Sequence, residues 1–221
     1  MTNRLGAFVV VVGLLGVCAA AARGEVMGKA VLVGPAPAAK KGAPAGNEQI
    51  VLGPRNELQN VVVYVKDGAK LGGAVPKAPA ALTITGGRYE PHVLAAMVGQ
   101  GVEVSNKDGI LHAPISIGKQ NVGEVGVQPG GVRRLPGATT AAETCRVRCA
   151  LDVKMSAWVV VLDHPFFAVT GADGQFEIPN LPPGKHKLVA WHERLGEREA
   201  EVEVGKDGKV IKAAAFSFGE K

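Results

Sequence analysis

The sequence predicts an all-β protein, and three observations lead to that prediction. The chain is rich in turn-forming residues, with 30 glycines and 14 prolines among 221 residues, as expected for many turns between short strands. Short β-branched and aromatic runs recur between Asp-Gly, Gly-Gly and Pro-Gly pairs, which is typical of strands and tight turns. The sequence has no long amphipathic helical period. These features favour one large β-sandwich or a pair of them.

The first residues have the features of an export signal. Arg4 supplies a positive start, an apolar run extends over Leu5–Val17, and small residues suited to cleavage follow at Ala22–Gly24. The apolar run is short for a transmembrane helix. We therefore expect residues 1–24 to be a signal peptide, and the mature protein to be periplasmic or secreted without a stable membrane span. A lipid anchor on Cys18 and an uncleaved anchor are the alternatives.

The charge pattern argues against nucleic acid as a partner. The formal net charge is +5, and the predicted signal peptide removes two of the basic residues. The remaining lysines and arginines are scattered, without the interleaved aromatic residues of a nucleic-acid-binding surface.

The predicted elements alternate strands with turns along the whole chain. Residues 34–47 and 68–81 are rich in Pro, Ala, Gly and Lys and are predicted as loops. "HERLGEREAEVEV" has the charge content of a helix, but its Glu/Val alternation favours a strand. The apolar run 156–169 is interpreted as one strand buried on both faces. The other predicted strands are Val26–Val33, Val61–Val65, Leu82–Ile84, His92–Met97, Val102–Val104, Phe176–Ile178, His186–Trp191, Arg198–Val204 and Val210–Phe218.

The last quarter of the chain carries a recognisable pattern, "TGADGQFEIPNLPPGKHKLVAW". Asp173-Gly174 and Pro183-Gly184 supply turns, and Phe176 and Ile178 face a core. This pattern resembles the carboxypeptidase regulatory-like, transthyretin-like β-sandwich. The resemblance implies an accessory fold without catalytic residues. Its opening strands would come from residues 25–67 and the remainder from residues 166–221.

The middle of the chain, residues 68–165, contains "RYEPHVLAAMVGQGVEVSNKDGILHA" and "VRCALDVKMSAWVVVLDHPFF". These stretches resemble cupredoxins, the blue-copper proteins of the plastocyanin and azurin kind, and above all a plastocyanin-like group labelled methylamine-utilisation proteins. The resemblance implies a Greek-key sandwich that binds copper and is inserted in, or appended to, the transthyretin-like one.

The same resemblance implies a metal site formed by His112, Cys149, Asp152 and Met155. In the family a histidine ligand follows an Asn-x-Asp turn, as His112 does here, and the later loop runs C-x-x-H-x-x-M. Asp152 takes the place of the loop histidine. A blue-copper site uses two imidazoles, a thiolate and a weak axial thioether, whereas an aspartate is a harder oxygen ligand. We expect an altered copper site, a site for another metal such as zinc, or a sandwich whose site has been lost.

Other departures from the family concern the surroundings of the site. Ala113 stands where the family has a bracing asparagine, and Gly87 where the group often has a cysteine. Val153 and Lys154 replace the usual neighbours of the loop histidine, and Lys154 is a candidate ion-pair partner of Asp152. We therefore expect weaker support around the ligands.

Cys145 is an additional cysteine. It lies four residues from Cys149, which is roughly 13 Å along one extended strand. A disulfide needs Cα atoms within about 7 Å. We expect two separately used thiols, unless the segment turns.

The remaining chemically interesting residues favour structural roles. His92 and His164 lie outside the implied ligand set, and His192 with Glu193 has the position of a strand-end feature. Trp158 and Trp191 are candidates for the core or for a sugar-stacking face. The motifs G-x-S-x-G and H-E-x-x-H and a phosphate-binding loop are absent from the sequence, so we do not expect an enzyme.

The sequence therefore predicts an exported cupredoxin-like protein that binds copper or transfers electrons to a redox partner protein. The alternative is a metal-free β-sandwich module that binds carbohydrate or another protein.

Overall fold

The computed structural model describes residues 22–36, 50–212 and 214–219. Regular structure in these residues is β, apart from a 3-10 turn at Gly68–Leu71, which confirms the predicted all-β class. Most of the predicted signal peptide, residues 1–21, lies outside the described residues. The strands are β1 (Gly24–Leu32), β2 (Val62–Val65), β3 (Ala80–Thr85), β4 (Arg88–Glu90), β5 (Val93–Met97), β6 (Val102–Asn106), β7 (Pro114–Ile117), β8 (Gly123–Glu124), β9 (Val132–Leu135), β10 (Thr144–Cys149), β11 (Ser156–Leu162), β12 (Phe167–Val169), β13 (Gln175–Leu181), β14 (Gly184–His192), β15 (Gly196–Val204), β16 (Val210–Lys212) and β17 (Ala214–Phe218).

The strands form four sheets in two pairs. One pair, here called the outer sandwich, combines β13-β1-β17 with β12-β2-β14-β15-β16. The other pair, the central sandwich, combines β5-β11-β10-β7-β8 with β4-β3-β6-β9. All strands of the central sandwich come from residues 80–162, between the two parts of the outer one. The residue boundaries of the domains expected from the sequence stay a prediction.

Each sandwich has its own apolar core, because inward positions alternate along its strands. In the outer sandwich Val26 and Ala30 of β1 pack against Leu188 of β14. In the central sandwich Leu82 of β3 and Val159 of β11 belong to one buried cluster. Cys149 and Met155 lie in that second cluster.

A third apolar layer joins the two sandwiches, and we call it the seam. It forms because β2, β12 and β14 of one sheet and β5 and β11 of another carry apolar residues on their outer faces as well. Parallel pairing of β11 with β5 continues this surface across two strands. The seam consists of Val62, Val93, Val160 and Leu162, with Tyr64, Ala95, Trp158, Phe167, Val169 and Trp191 packed on them.

The chain passes from one sandwich to the other twice, between β2 and β3 and again between β11 and β12. The two connecting segments contact each other where His164 packs against Gly68. A Cβ atom on Gly68 would lie 2.5 Å from the His164 ring, so only glycine permits this approach. His164 is buried, and its Nδ1 accepts the Phe166 N–H at 3.1 Å. Burial lowers the pKa of His164. Its surroundings agree with the structural role expected for it.

Two strand predictions are wrong. The apolar run 156–169 forms two strands, β11 in the central sandwich and β12 in the outer one. The chain leaves the first sheet around Pro165, which cannot donate to a strand ladder. The predicted strand Val210–Phe218 likewise divides into β16 and β17, which belong to different sheets. The charged segment after His192 forms strand β15, as predicted.

Candidate metal centre

His112 and Cys149 are brought together by the pairing of two neighbouring strands. Cys149 ends β10, and β10 pairs antiparallel with β7 so that Cys149 lies opposite Pro114. His112 is separated from β7 by Ala113 alone and is held by a bridge to Val127, with backbone N–H···O distances of 3.2 and 2.8 Å. The result is a distance of 3.7 Å between His112 Nδ1 and Cys149 Sγ. Both side chains are buried.

The distance between these two donor atoms suits one shared metal ion. Metal–nitrogen bonds of about 2.0–2.1 Å and metal–sulfur bonds of about 2.3 Å, at tetrahedral to trigonal angles, place the two donors roughly 3.5–3.8 Å apart. His112 and Cys149 therefore fit two positions of a soft-metal site without rearrangement.

Asp108 holds the imidazole of His112 in the orientation that such a site needs. Its Oδ2 lies 3.0 Å from His112 Nε2. Because a carboxylate only accepts hydrogen bonds, Nε2 carries the proton and Nδ1 keeps a free lone pair towards Cys149. This carboxylate–imidazole arrangement is the usual support of a metal-binding histidine.

Asp108 also connects the loop between β6 and β7, which carries His112 and is called the ligand loop below, to the β3–β4 hairpin. Its carboxylate accepts the N–H groups of Gly86 at 2.6 Å and Gly87 at 2.9 Å. Both glycines have positive φ, +56° and +68°, as this tight hairpin turn requires. The hydrogen bond from the Gly87 N–H is the main reason that the pKa of Asp108 is lowered. Burial opposes this shift, and the hydrogen bonds with Gly86 and His112 add to it. Hydrogen bonds therefore connect Gly87 to the loop that carries His112.

Asn106 braces the ligand loop from inside. Its buried amide Nδ2 donates to the carbonyl oxygens of Ile110 at 2.7 Å and Val127 at 2.9 Å. Its Oδ1 accepts the N–H of Asp108 at 2.9 Å. In the sequence, Asn106 and Asp108 stand out only as a turn marker, and neither of these roles was predicted. The Asn-x-Asp spacing signals the bond from the Asp108 N–H to Asn106 Oδ1, since Asx side chains commonly bond the backbone two residues later. It does not reveal the contacts of Asp108 with the β3–β4 hairpin.

The backbone at Ala113 contributes directly to the site. Its N–H donates to Cys149 Sγ at 3.4 Å, and its carbonyl accepts the Ala150 N–H at 2.8 Å. Main-chain contacts therefore connect the residue after His112 to Cys149 and to the residue that follows it.

The two other predicted ligands lie in the loop between β10 and β11. Met155 is fully buried in the same core cluster as Cys149. Asp152 is half-buried, and its Oδ1 accepts the Lys154 N–H at 3.0 Å while its carbonyl accepts the Met155 N–H at 3.1 Å. Among the described residues, no three His, Cys, Asp or Glu side chains are grouped to hold a metal ion. Ligation by Asp152 stays a prediction.

Tyr89 is a further polar group beside the site that the sequence analysis missed. It points inward from β4 and is 3% exposed. Within the described part of the chain its hydroxyl has no hydrogen-bond partner. Burial raises its pKa, and electrostatic effects of Cys149 and Asp152 raise it further.

Cys145 lies outside this site. It occupies an inward position of β10, where its Sγ lies 3.5 Å from Ser116 Oγ and 3.5 Å from the Val159 carbonyl oxygen. Burial raises the pKa of its thiol. Both Cys145 and Cys149 are free, as predicted from their spacing.

His92, Trp158, Trp191 and Glu193 meet at the seam. Glu193 Oε1 lies 2.6 Å from His92 Nε2, and Glu193 Oε2 accepts the indole N–H of Trp158. The two indole rings are 5.7 Å apart in an edge-to-face arrangement, which is favourable for aromatic pairs. These residues connect the sandwiches.

In the described ranges, no helix is long and apolar enough to cross a membrane.

Comparison with known proteins gives likenesses in structure only. Neither protein-family models nor curated proteins match the sequence. A copper-containing nitrite reductase from Thermus scotoductus SA-01 aligns at 20% identity with a TM-score of 0.35, over 43% of this chain and 26% of that one. A purple cupredoxin from Nitrosopumilus maritimus aligns at 21% identity with a TM-score of 0.32, over 38% of this chain and 99% of that one. A reduced amicyanin variant aligns at 18% identity and a TM-score of 0.35, over 45% and 98%.

Proposed function

We propose that the central sandwich binds one copper ion through His112 and Cys149, and that the protein is an exported electron carrier rather than an enzyme. The observation that carries this proposal is the 3.7 Å distance between His112 Nδ1 and Cys149 Sγ. It is supported by Asp108, which occupies Nε2 and leaves Nδ1 free to bind.

The donor set favours copper on chemical grounds. Thiolate and imidazole are the ligands of copper electron-transfer sites, and the buried thioether of Met155 would be a further, weak soft donor. When bound, copper would supply a one-electron couple. Cys149 would release its proton on binding, since only the thiolate is a metal ligand.

The protein around these donors would keep the site rigid and dry. Asn106 and Asp108 fix the loop that carries His112, and β10 fixes Cys149. The surrounding core residues are buried and exclude water from the donors. Little rearrangement on metal binding is the property expected of an electron-transfer site.

Asp152 is proposed as a fourth donor. To bind the ion, its carboxylate would have to give up the Lys154 N–H contact. An anionic oxygen donor stabilises Cu(II) relative to Cu(I), so this ligand would lower the reduction potential.

A redox partner protein is proposed to bind the end of the central sandwich where the loop that carries His112 and the loop between β10 and β11 reach the surface. Large apolar side chains of both loops are exposed there: Ile110, Leu111, Leu151 and Val153. Exposed apolar groups of this kind commonly mark interaction sites.

The test is a copper titration of residues 25–221, produced with reduced thiols. The wild-type protein should develop an intense visible thiolate-to-copper absorption band and a Cu(II) paramagnetic-resonance signal at one equivalent. Cys149→Ser should abolish the band. Cys145→Ser is the matched control, because it removes a buried thiol from the same face of the same strand, and it should leave the band unchanged.

A colourless wild-type protein without bound copper would overturn the proposal. The metal-free binding module would then be the function to test, by retention on polysaccharides or partner proteins. Trp158 and Trp191, the aromatic residues considered for sugar stacking, pack against each other at the seam.

A further inference from the structure

The hydroxyl of Tyr89 is a buried polar group without a structural explanation. The side chain is 3% exposed, and no described group hydrogen-bonds its Oη. Burying an unpaired polar group costs about 1–3 kcal/mol, and phenylalanine would fill the same space without that cost. A hydroxyl in this position points to an acceptor that becomes available in another state of the protein.

The fold places Tyr89 on the hairpin that is tied to the ligand loop. On one sheet Tyr89 of β4 pairs with Ile84 of β3, and Ile84 pairs with Asn106 of β6. Asn106 braces the loop of His112. The turn of the same hairpin is bound by Asp108, which also holds His112. Tyr89 is thus positioned by the residues that position the proposed ligands.

Tyr89 shares its core cluster with Cys149 and Met155. Cys149 and Asp152 both act electrostatically on its phenol and raise its pKa, after the larger effect of burial. The phenol therefore keeps its proton at neutral pH and is a hydrogen-bond donor. Asp152 is half-buried in a surface loop, and its carboxylate accepts the Lys154 N–H.

Cys149 is the acceptor whose character changes with the state of the site. A protonated thiol is a weak acceptor, whereas a metal-bound thiolate is anionic and accepts strongly. Hydrogen bonds around the cysteine sulfur are one of the features that set the potential of copper–thiolate sites.

We propose that Tyr89 is a positioning residue of the proposed copper site, whose O–H donates a hydrogen bond to the sulfur of Cys149 once that sulfur is a metal-bound thiolate. The proton stays on the phenol and no covalent bond changes. The inference rests on the proposed copper binding at His112 and Cys149, and it adds a group outside the four ligands that the sequence suggested.

The test compares Tyr89→Phe with the wild type and with Tyr64→Phe, which removes the hydroxyl of the other tyrosine in the chain. Three quantities are measured on residues 25–221: the Tm of the metal-free protein, the Cu(I) affinity by competition with a coloured chelator, and the absorption spectrum of the Cu(II) form. For Tyr89→Phe we expect an unchanged or higher metal-free Tm, a roughly 10- to 100-fold weaker affinity, and a visible band shifted to lower energy. Tyr64→Phe should leave affinity and band unchanged.

Several outcomes would overturn the inference alone. A wild type that binds copper and a Tyr89→Phe variant with the same affinity and band would show that the hydroxyl has no part in the site. A metal-free Tm that falls by several degrees would show that the hydroxyl already has a partner. A phenolate-to-copper band lost in Tyr89→Phe would make Tyr89 a direct ligand. Failure of the wild type to bind copper would instead overturn the proposed function, and this inference with it.

Discussion

Glu193 and His92 join the two sandwiches through a 2.6 Å contact between a carboxylate oxygen and the Nε2 atom. Glu193 lies in the turn between β14 and β15 of the outer sandwich, and His92 precedes β5 of the central one. The Glu193 side chain is only 1% exposed, and its second oxygen accepts the indole N–H of Trp158. One buried carboxylate thus satisfies two groups of the other sandwich.

Replacing Glu193 with alanine should weaken the seam. The change leaves His92 and the Trp158 N–H without their partner in a buried position, so we expect the free energy of unfolding to fall by about 2–4 kcal/mol. Both tryptophans of the chain lie at the seam, so intrinsic fluorescence reports on this region. The emission of Glu193→Ala should shift to longer wavelength as water reaches the rings. Urea unfolding followed by fluorescence and by circular dichroism measures both effects.

Glu197→Ala is the matched control for that experiment. Glu197 is an exposed glutamate on the same hairpin, and its removal should change stability by less than about 0.5 kcal/mol. Equal stabilities for the wild type and Glu193→Ala would show that the buried contact does not hold the sandwiches together.

Acid should destabilise the protein through His192. This residue is 1% exposed, and burial, followed by His92 and Arg194, lowers its pKa from 6.5 to about 4. The unfolded state therefore takes up a proton first as the pH falls. The stabilising effect is complete above pH 6.5 and is lost between pH 6.5 and pH 4, amounting to about 3 kcal/mol. Urea unfolding of metal-free protein between pH 4.5 and 7.5 measures this slope.

His192→Asn provides the comparison, because its side-chain oxygen can replace Nδ1 as acceptor of the Arg194 N–H. We expect a lower stability at pH 7 but a much flatter dependence on pH. His164 also has a lowered pKa and contributes a slope of the same sign to both proteins, so the difference between them isolates His192. Identical slopes would contradict the assignment.

The sequence predicted the fold class because alternation and turn residues are local signals. It failed at the 156–169 run and at Val210–Phe218, since a pattern of apolar residues does not say which sheet a strand joins. Only packing of two sandwiches against each other separates β11 from β12. Likewise, His112 and Cys149 were suggested by family resemblance, whereas Asp108 and Tyr89 depend on contacts across the β3–β4 hairpin, which no local pattern reveals.

Asn106→Ala should damage both the stability and the proposed metal site. The variant removes two side-chain donors and one acceptor in a buried position, so we expect a loss of about 2–4 kcal/mol in the free energy of unfolding. Copper affinity should fall as well, because the loop that carries His112 loses its brace. Chemical unfolding and chelator competition measure the two effects.

Asn121→Ala separates these two effects. Asn121 is a fully buried asparagine of the same sandwich, and its side chain donates to the Ala141 carbonyl and accepts the Ala141 N–H, both at 2.8 Å. Its removal should lower stability by a similar amount but leave copper affinity unchanged. If both variants lost affinity equally, the effect of Asn106 would be one of general stability.

Asp152→His should strengthen the copper site. An imidazole replaces a hard oxygen donor and gives the two imidazoles and one thiolate that copper–thiolate sites prefer. We expect a more intense visible thiolate-to-copper band, tighter Cu(I) binding and a higher reduction potential, measured by absorption, chelator competition and voltammetry.

The matched control is Asp207→His, because Asp207 Oδ1 accepts the Lys209 N–H at 3.0 Å in an equivalent exposed turn, far from the candidate ligands in sequence. It should alter none of the three quantities. If Asp152→His behaves as the wild type does, the side chain at this position does not reach the ion, and the site consists of His112 and Cys149 with Met155.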